Sequence, residues 1–430
     1  MQIDASQAII RFGLGQRGAQ PAPADPASWL AGQLTGPDSA AFPPDLPTVA
    51  DGLIVLREQN KFDLPPNESL VRPLFQLDVR AQTAQLLTTD APFRERLVLF
   101  WANHFTVSIR QGGTAATVGP YVREAIRPNV TNPFFAMLLS VMRHPAMLMY
   151  LENDLSVGPN SPIGLLTGRG LNENLARECL ELHTLSPASG YTQQDVTEFA
   201  KILTGWGIDR KAAQPGFIFR EQAHEPGSKT VMGRSFPPGE AGGLMALDFL
   251  ANHPATHRHL ATQLVSQFVA DDPPPEAVRS IEGVLRDTQG DLGAAALAVT
   301  QLPAAWTPLA KFRTPQDFGL AALRLLDLPE AERPPVQSVF AGLGQPLWQA
   351  PLPNGWSDKT GDWASPDGIM RRIDWSYGLA GHVGEQDPMT LAQAALGPYL
   401  TPATATQIKH AGSRRDALTL LFASPEFQRR

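Results

Sequence analysis

The sequence predicts a mainly α protein: a large multi-helix globular assembly with one short β-hairpin and long Pro/Gly-rich loops. Three observations lead there. Apolar residues recur at helical spacing along much of the chain, most clearly at Val196, Phe199, Ala200, Leu203 and Trp206. Helix-opening pairs such as Asp25-Pro26 and Thr314-Pro315 stand before such runs, supplying an N-cap and a first-turn proline. The chain also holds 40 prolines in 430 residues, about twice the usual share of roughly 5%, and they gather in the connectors.

In chain order, residues 1–28 are short apolar and Gly/Pro-rich pieces, and Asp25-Pro26 opens a helix through Trp29 to Leu34. The proline-studded stretch 36–66 reads as a surface loop. A helix follows from Glu68 to Thr88, carried by Leu70, Leu74, Leu77 and Ala81. The segment from Arg94 to Phe105 is apolar on every side at its centre (Leu97 to Ala102), which predicts a buried, central helix. Two helices are expected over 120–151, the second after His144-Pro145. A long one is expected from Asn172 to Leu185, stopped by Ser186-Pro187 and Gly190. Thr192 and Asp195 form a weaker capping box for the amphipathic helix that runs to Trp206. Between 216 and 236, Phe217-Ile218-Phe219 and Thr230-Val231-Met232 flank Glu225-Pro226-Gly227, which reads as a hairpin. Helices resume at 255–270, 276–288, 291–302 and 315–327. Residues 329–368 read as irregular but packed, and helices near 389–396, 402–410 and 413–423 close the chain. Residues 1–430 are taken as a single large helical domain, with 300–430 as a candidate C-terminal helical subdomain.

Composition excludes several classes. The formal net charge is −7, with 35 Lys plus Arg against 42 Asp plus Glu, which argues against a nucleic-acid binder with a basic face. The single cysteine, Cys179, cannot form an intramolecular disulfide or a Cys-rich metal site. No apolar run is long enough to span a membrane. The N-terminus lacks a basic start followed by an apolar core and a small-residue cleavage site, so the default expectation is a cytoplasmic location. Neither a Gly-x-Gly-x-x-Gly fingerprint, a phosphate-binding loop nor a Gly-x-Ser-x-Gly elbow is present, which disfavours the enzymes built on them.

Five segments could carry chemistry. His104, with Asn103 at the end of an apolar helix, is either a general base or a metal or haem ligand, or else a core histidine tied to a carbonyl. On an ideal helix Asn174, Glu178 and Glu181 fall within about 60° of one another, beside Arg177. That face is a carboxylate pair able to bind a metal or to raise one pKa, or else a polar face with an Arg177–Glu181 ion pair. His183 lies about 180° from Asn174 on an ideal helix, so either it serves another surface or the helix has unwound there. His224 and Lys229 sit on the expected hairpin, where they are solvated or reach over a cleft to hold an anion. His253 and His257 have the spacing of zinc ligands, but Pro254 puts His253 at the cap, outside the helix. Trp356, in the loop that runs on through Trp363, Arg371 and Trp375, lines a pocket or plugs the core.

Taken together, several segments resemble one bacterial family. They are Arg94 to Ser108, Leu171 to Thr184, Gly190 to Trp206, His224 to Gly233, His253 to Val269 and Ala423 to Gln428. The family is that catalogued as domain of unknown function 1800, and the resemblance covers nearly the whole chain. It implies a partner related to sulfatases or phosphatases and export from the cytoplasm. With no leader of its own, the chain would reach the periplasm attached to such a partner. The resemblance supplies no catalytic residues.

Two readings of function follow. In the first, the chain is an enzyme with a buried polar site between the His104 helix and the Glu178/Glu181 helix. His104, Glu178, Glu181 and Arg177 are then the catalytic groups, and Asn174, His224, Lys229 and Trp356 bind the ligand. His104, Glu178 and Glu181 are the candidate ligands of a divalent metal, and haem on His104 is the weaker variant. In the second, the chain is a non-catalytic helical scaffold or the partner subunit of the sulfatase- or phosphatase-like protein. No nucleic acid is expected in either.

Overall fold

The computed structural model describes residues 4–62, 68–383 and 386–430. Among these, helix accounts for 61% and strand for 4%, which fixes the class as mainly α. No helix among the described residues is long and apolar enough to cross a membrane.

Local chemistry sets most helix ends. Asp25 accepts from the Ala27 and Ser28 amides and opens Pro26–Thr35. The full capping box of Thr192 and Asp195 opens Gln193–Leu203, and Thr314 and Ser413 cap Pro315–Leu326 and Arg414–Ala423. Two histidines do the same work. In His144-Pro145-Ala146 and His253-Pro254-Ala255 the imidazole Nδ1 accepts the amide two residues on, at 3.2 and 3.1 Å. His253 is therefore a cap, as its proline requires.

The structure departs from the sequence reading in several places, among them the unforeseen helices Pro162–Thr167, Glu240–Ala251 and Val336–Gly342. Val49–Phe62 is a helix inside the expected 36–66 loop, whose residues 63–66 lie outside the described ones. The Gln193–Leu203 helix stops before Trp206, because Gly205 at φ +85° turns the chain into a strand. The helix Pro366–Ala380 was hidden by the Trp- and Gly-rich loop before it. Two hairpins replace the single expected one. β1 (Trp206–Asp209) pairs with β2 (Gly216–Phe219), and β3 (Lys229–Val231) pairs with β4 (Arg234–Phe236). The second closes through Met232 and Gly233, both at positive φ, the two-residue turn that suits strand twist. The Glu225-Pro226-Gly227 turn lies between the hairpins instead of inside one.

Buried apolar side chains form one contiguous cluster from Ala8 to Phe427. Within it lies an ionic knot. Asp317 accepts two contacts from Arg96 Nη1, at 2.9 and 3.0 Å, and pairs with Arg430 Nε at 3.0 Å. Burial pushes the Asp317 carboxyl up, but Arg96 and Arg430 outweigh it and hold it below the ordinary value. Arg96 Nε also donates to the Gly13 carbonyl, and Arg11 donates to the carbonyls of Phe268 and Val269. The helix Pro92–His104 is thereby fixed against both ends of the described chain.

Candidate functional site

The site starts from an irregular helix. Asn174–Glu178 is α-helical, but Cys179–His183 continues it as a π-turn, with Thr184 at φ −130° and ψ −92° ending it. The Thr184 hydroxyl donates to the Cys179 carbonyl at 2.6 Å. A helix end leaves carbonyls without partners, and π-turns concentrate at functional sites. Here two consecutive carbonyls are taken by histidines from two other helices. His104, last residue of Pro92–His104, donates from Nε2 to the His183 carbonyl at 3.2 Å. His259, on Pro254–Phe268, donates from Nε2 to the Leu182 carbonyl at 2.9 Å.

These bonds assign the tautomers. A carbonyl oxygen only accepts, so Nε2 carries the proton in both rings, and Nδ1 of each neutral ring is a lone-pair acceptor. The two ring centres lie 6.0 Å apart, and His183 packs 5.8 Å from His104. Burial holds His104 well below the ordinary imidazole value, and His183 and His259 add to that. Burial lowers His259 as well and takes His183 down to about 3. Both ring nitrogens of His183 are buried without a hydrogen-bond partner, so it is a neutral packing group between Phe105 and His104.

His104 and His259 line one cleft of about 170 Å³ together with Phe100, Asn103, Leu182, Gln263, Gln267, Asn354, Trp356, Ser357 and Asp358. Helical spacing builds its walls, with Phe100 and His104 four apart on one helix, and His259, Gln263 and Gln267 successively four apart on the other. The strap 354–358 forms the third side. Asn103 holds it at both backbone groups of Trp356, accepting its amide and donating to its carbonyl, each at 2.8 Å. Gly355, at φ +74°, allows that approach, since a Cβ there would stand 2.6 Å from the Asn103 carbonyl. At the far end Lys311 donates to the Asp358 carbonyl at 2.9 Å, and Ser266 donates to its carboxylate, also at 2.9 Å.

The other sequence-derived residues are distributed as follows. Glu178 has its carboxyl raised by burial and then by Glu181, and burial and Glu178 together push Tyr150 to about 12. Neither Glu178 nor Glu181 is among the described residues that line the cleft of His104. Among the described residues no group of three His, Cys, Asp or Glu side chains is arranged to hold a metal. Arg177 pairs with Glu173 at 2.9 Å instead of Glu181. Asn174 borders another hollow of about 270 Å³ with Tyr150 and Arg110, lined also by Ala350, Pro351 and Pro353, which lie just ahead of the strap in the chain. His224 and Lys229 are buried in a closed network and do not reach over a cleft. His224 Nδ1 donates to the Thr204 carbonyl at 2.8 Å, and Nε2 accepts from the Gly239 amide at 2.9 Å and from Lys229 at 3.1 Å. Lys229 also donates to the Glu225 carbonyl, and burial brings its ammonium down to about 8. Trp356 is the one ligand-binding candidate that lines the His104 cleft. His259, Gln263 and Gln267 escaped the sequence reading, although their four-residue spacing beside the apolar stripe Leu260, Leu264 and Phe268 is visible in it.

Residues 7–429 match the model of the family described as Protein of unknown function (DUF1800), and the chain belongs to that family. No curated protein matches the chain, and no solved structure does.

Proposed function

We propose that the chain is an enzyme that binds a polar organic molecule in the His104–His259 cleft and uses these imidazoles as proton acceptors. One observation carries the reading: two histidines from separate helices are held in the same tautomer by adjacent carbonyls of one π-turn, and neither Nδ1 makes a hydrogen bond among the described residues. A base must be neutral and oriented before substrate arrives, and the two carbonyl bonds together with burial supply both conditions. In this reading Glu178 and Glu181 take no part in the chemistry. The test is turnover of a panel of chromogenic esters, amides and glycosides. Wild type is expected to turn over at least one class, while His104→Gln and His259→Gln each lose about 10²-fold or more with the melting temperature retained. Equal activity in both variants would refute the role.

A second reading, the partner subunit of a sulfatase- or phosphatase-like protein, is favoured by Leu165 and Leu166. These adjacent side chains are 73% and 85% exposed on the short helix Pro162–Thr167. In that reading the chain reaches the periplasm attached to its partner. Leu165→Asp with Leu166→Asp is expected to abolish co-purification of the two co-expressed proteins, and an unchanged yield of complex counts against it.

A further inference from the structure

We propose that the ligand of the His104 cleft is a neutral polyhydroxylated molecule, a sugar ring, recognised by amide groups and an aromatic wall. The proposal rests on the reading of this cleft as a substrate site and adds the class of substrate.

Charge narrows the class first. The lining contains neither lysine nor arginine, and its one carboxylate, Asp358, already accepts from Ser266 and lies 3.5 Å from the buried Lys311 ammonium. A phosphate or carboxylate ligand would enter without a cation to meet it, and a cationic ligand would find the carboxylate already compensated. Both costs are severe in a half-buried site. A neutral ligand meets neither.

Hydrogen-bonding capacity narrows it further. Among the described residues the side-chain amides of Gln263, Gln267 and Asn354 make no hydrogen bond, although all three border the cleft. Each offers donors and an acceptor, and the two Nδ1 lone pairs of the histidines add two acceptors. A ligand that satisfies such a mixed set carries groups that both donate and accept, and hydroxyls do. The remaining wall is aromatic, from Phe100 and Trp356, and suits the C–H face of a ring. Asn103 does not add to this set, since both ends of its amide hold the strap.

The experiment follows the imidazole ¹⁵N resonances of the full-length protein during addition of glucose, galactose, N-acetylglucosamine or maltotriose. Glucose 6-phosphate, glucuronate and a blocked dipeptide serve as counter-probes. At least one neutral sugar is expected to shift His104 and His259, and Gln263→Ala with Gln267→Ala to weaken that binding at least tenfold at an unchanged melting temperature. Shifts caused by an anionic probe or the dipeptide, with none from neutral sugars, would overturn the sugar assignment and leave the substrate site standing. Silence from every probe would overturn the assignment too, and the turnover panel then decides the catalytic reading on its own.

Discussion

At the scale of single residues, the histidines show how burial converts a common side chain into a defined one. His104 and His259 each exchange water for one carbonyl, and the exchange fixes which nitrogen keeps the proton. His183 exchanges water for nothing, so its cost appears as pH dependence. In the unfolded chain it takes up a proton near pH 6.5, whereas in the folded chain burial delays this to about 3. Between those values the unfolded state binds more protons, so stability falls as pH drops, by about 1.4 kcal/mol per pH unit for such a group. His183→Phe removes one titrating group and keeps a ring against Phe105. Urea unfolding at pH 7 and pH 5 is expected to show an acid loss smaller by about 2 kcal/mol in the variant. The same loss in both proteins would contradict the burial argument.

At the scale of elements, the cleft depends on two departures from regular structure, the π-turn Cys179–His183 and the strap 354–358. Gly355 tests the strap. Replacing it by alanine sets a Cβ against the Asn103 carbonyl and the Thr106 hydroxyl at a positive φ, at an expected cost of about 1–3 kcal/mol. The strap should then detach, so limited proteolysis is expected to cut Gly355→Ala near Trp356 and spare wild type. Equal resistance would mean that Asn103 does not hold the strap. These elements also mark how far the sequence could be read. Helix starts were legible at Asp25-Pro26, Thr192 with Asp195, and Thr314-Pro315, because a cap is a contact between near neighbours. The angle of His183 left two readings open, another surface or an unwound helix, and the π-turn Cys179–His183 is the irregularity found there. The hairpin partners were not legible, because Phe217–Phe219 suits several strands and Gly205 and Met232-Gly233 settle the choice. His259 was hidden for a related reason: its role comes from the Leu182 carbonyl, 77 residues earlier, and no local pattern encodes that meeting.

At the scale of the whole molecule, Asp317 ties the Pro92–His104 helix to Arg430, while Arg96 ties the same helix to Gly13. We propose that residues 1–430 fold as one cooperative unit, with 300–430 inseparable from the rest because this knot joins them. Removing the carboxylate leaves buried guanidinium groups unpaired, so Asp317→Asn is expected to lose about 3–5 kcal/mol in a single shifted transition. Two separated transitions in calorimetry would instead identify 300–430 as an independent subdomain. The same assembly brings three helices and a strap to two imidazoles, and the most direct check reads those imidazoles. In ¹⁵N NMR of the histidine rings, His104 and His259 should both report a protonated Nε2 and a lone-pair Nδ1 at pH 7, and His104 should take up its second proton only well below the ordinary imidazole value. Ordinary titration of His104 near pH 6.5, or a proton on Nδ1 of either ring, would contradict the account.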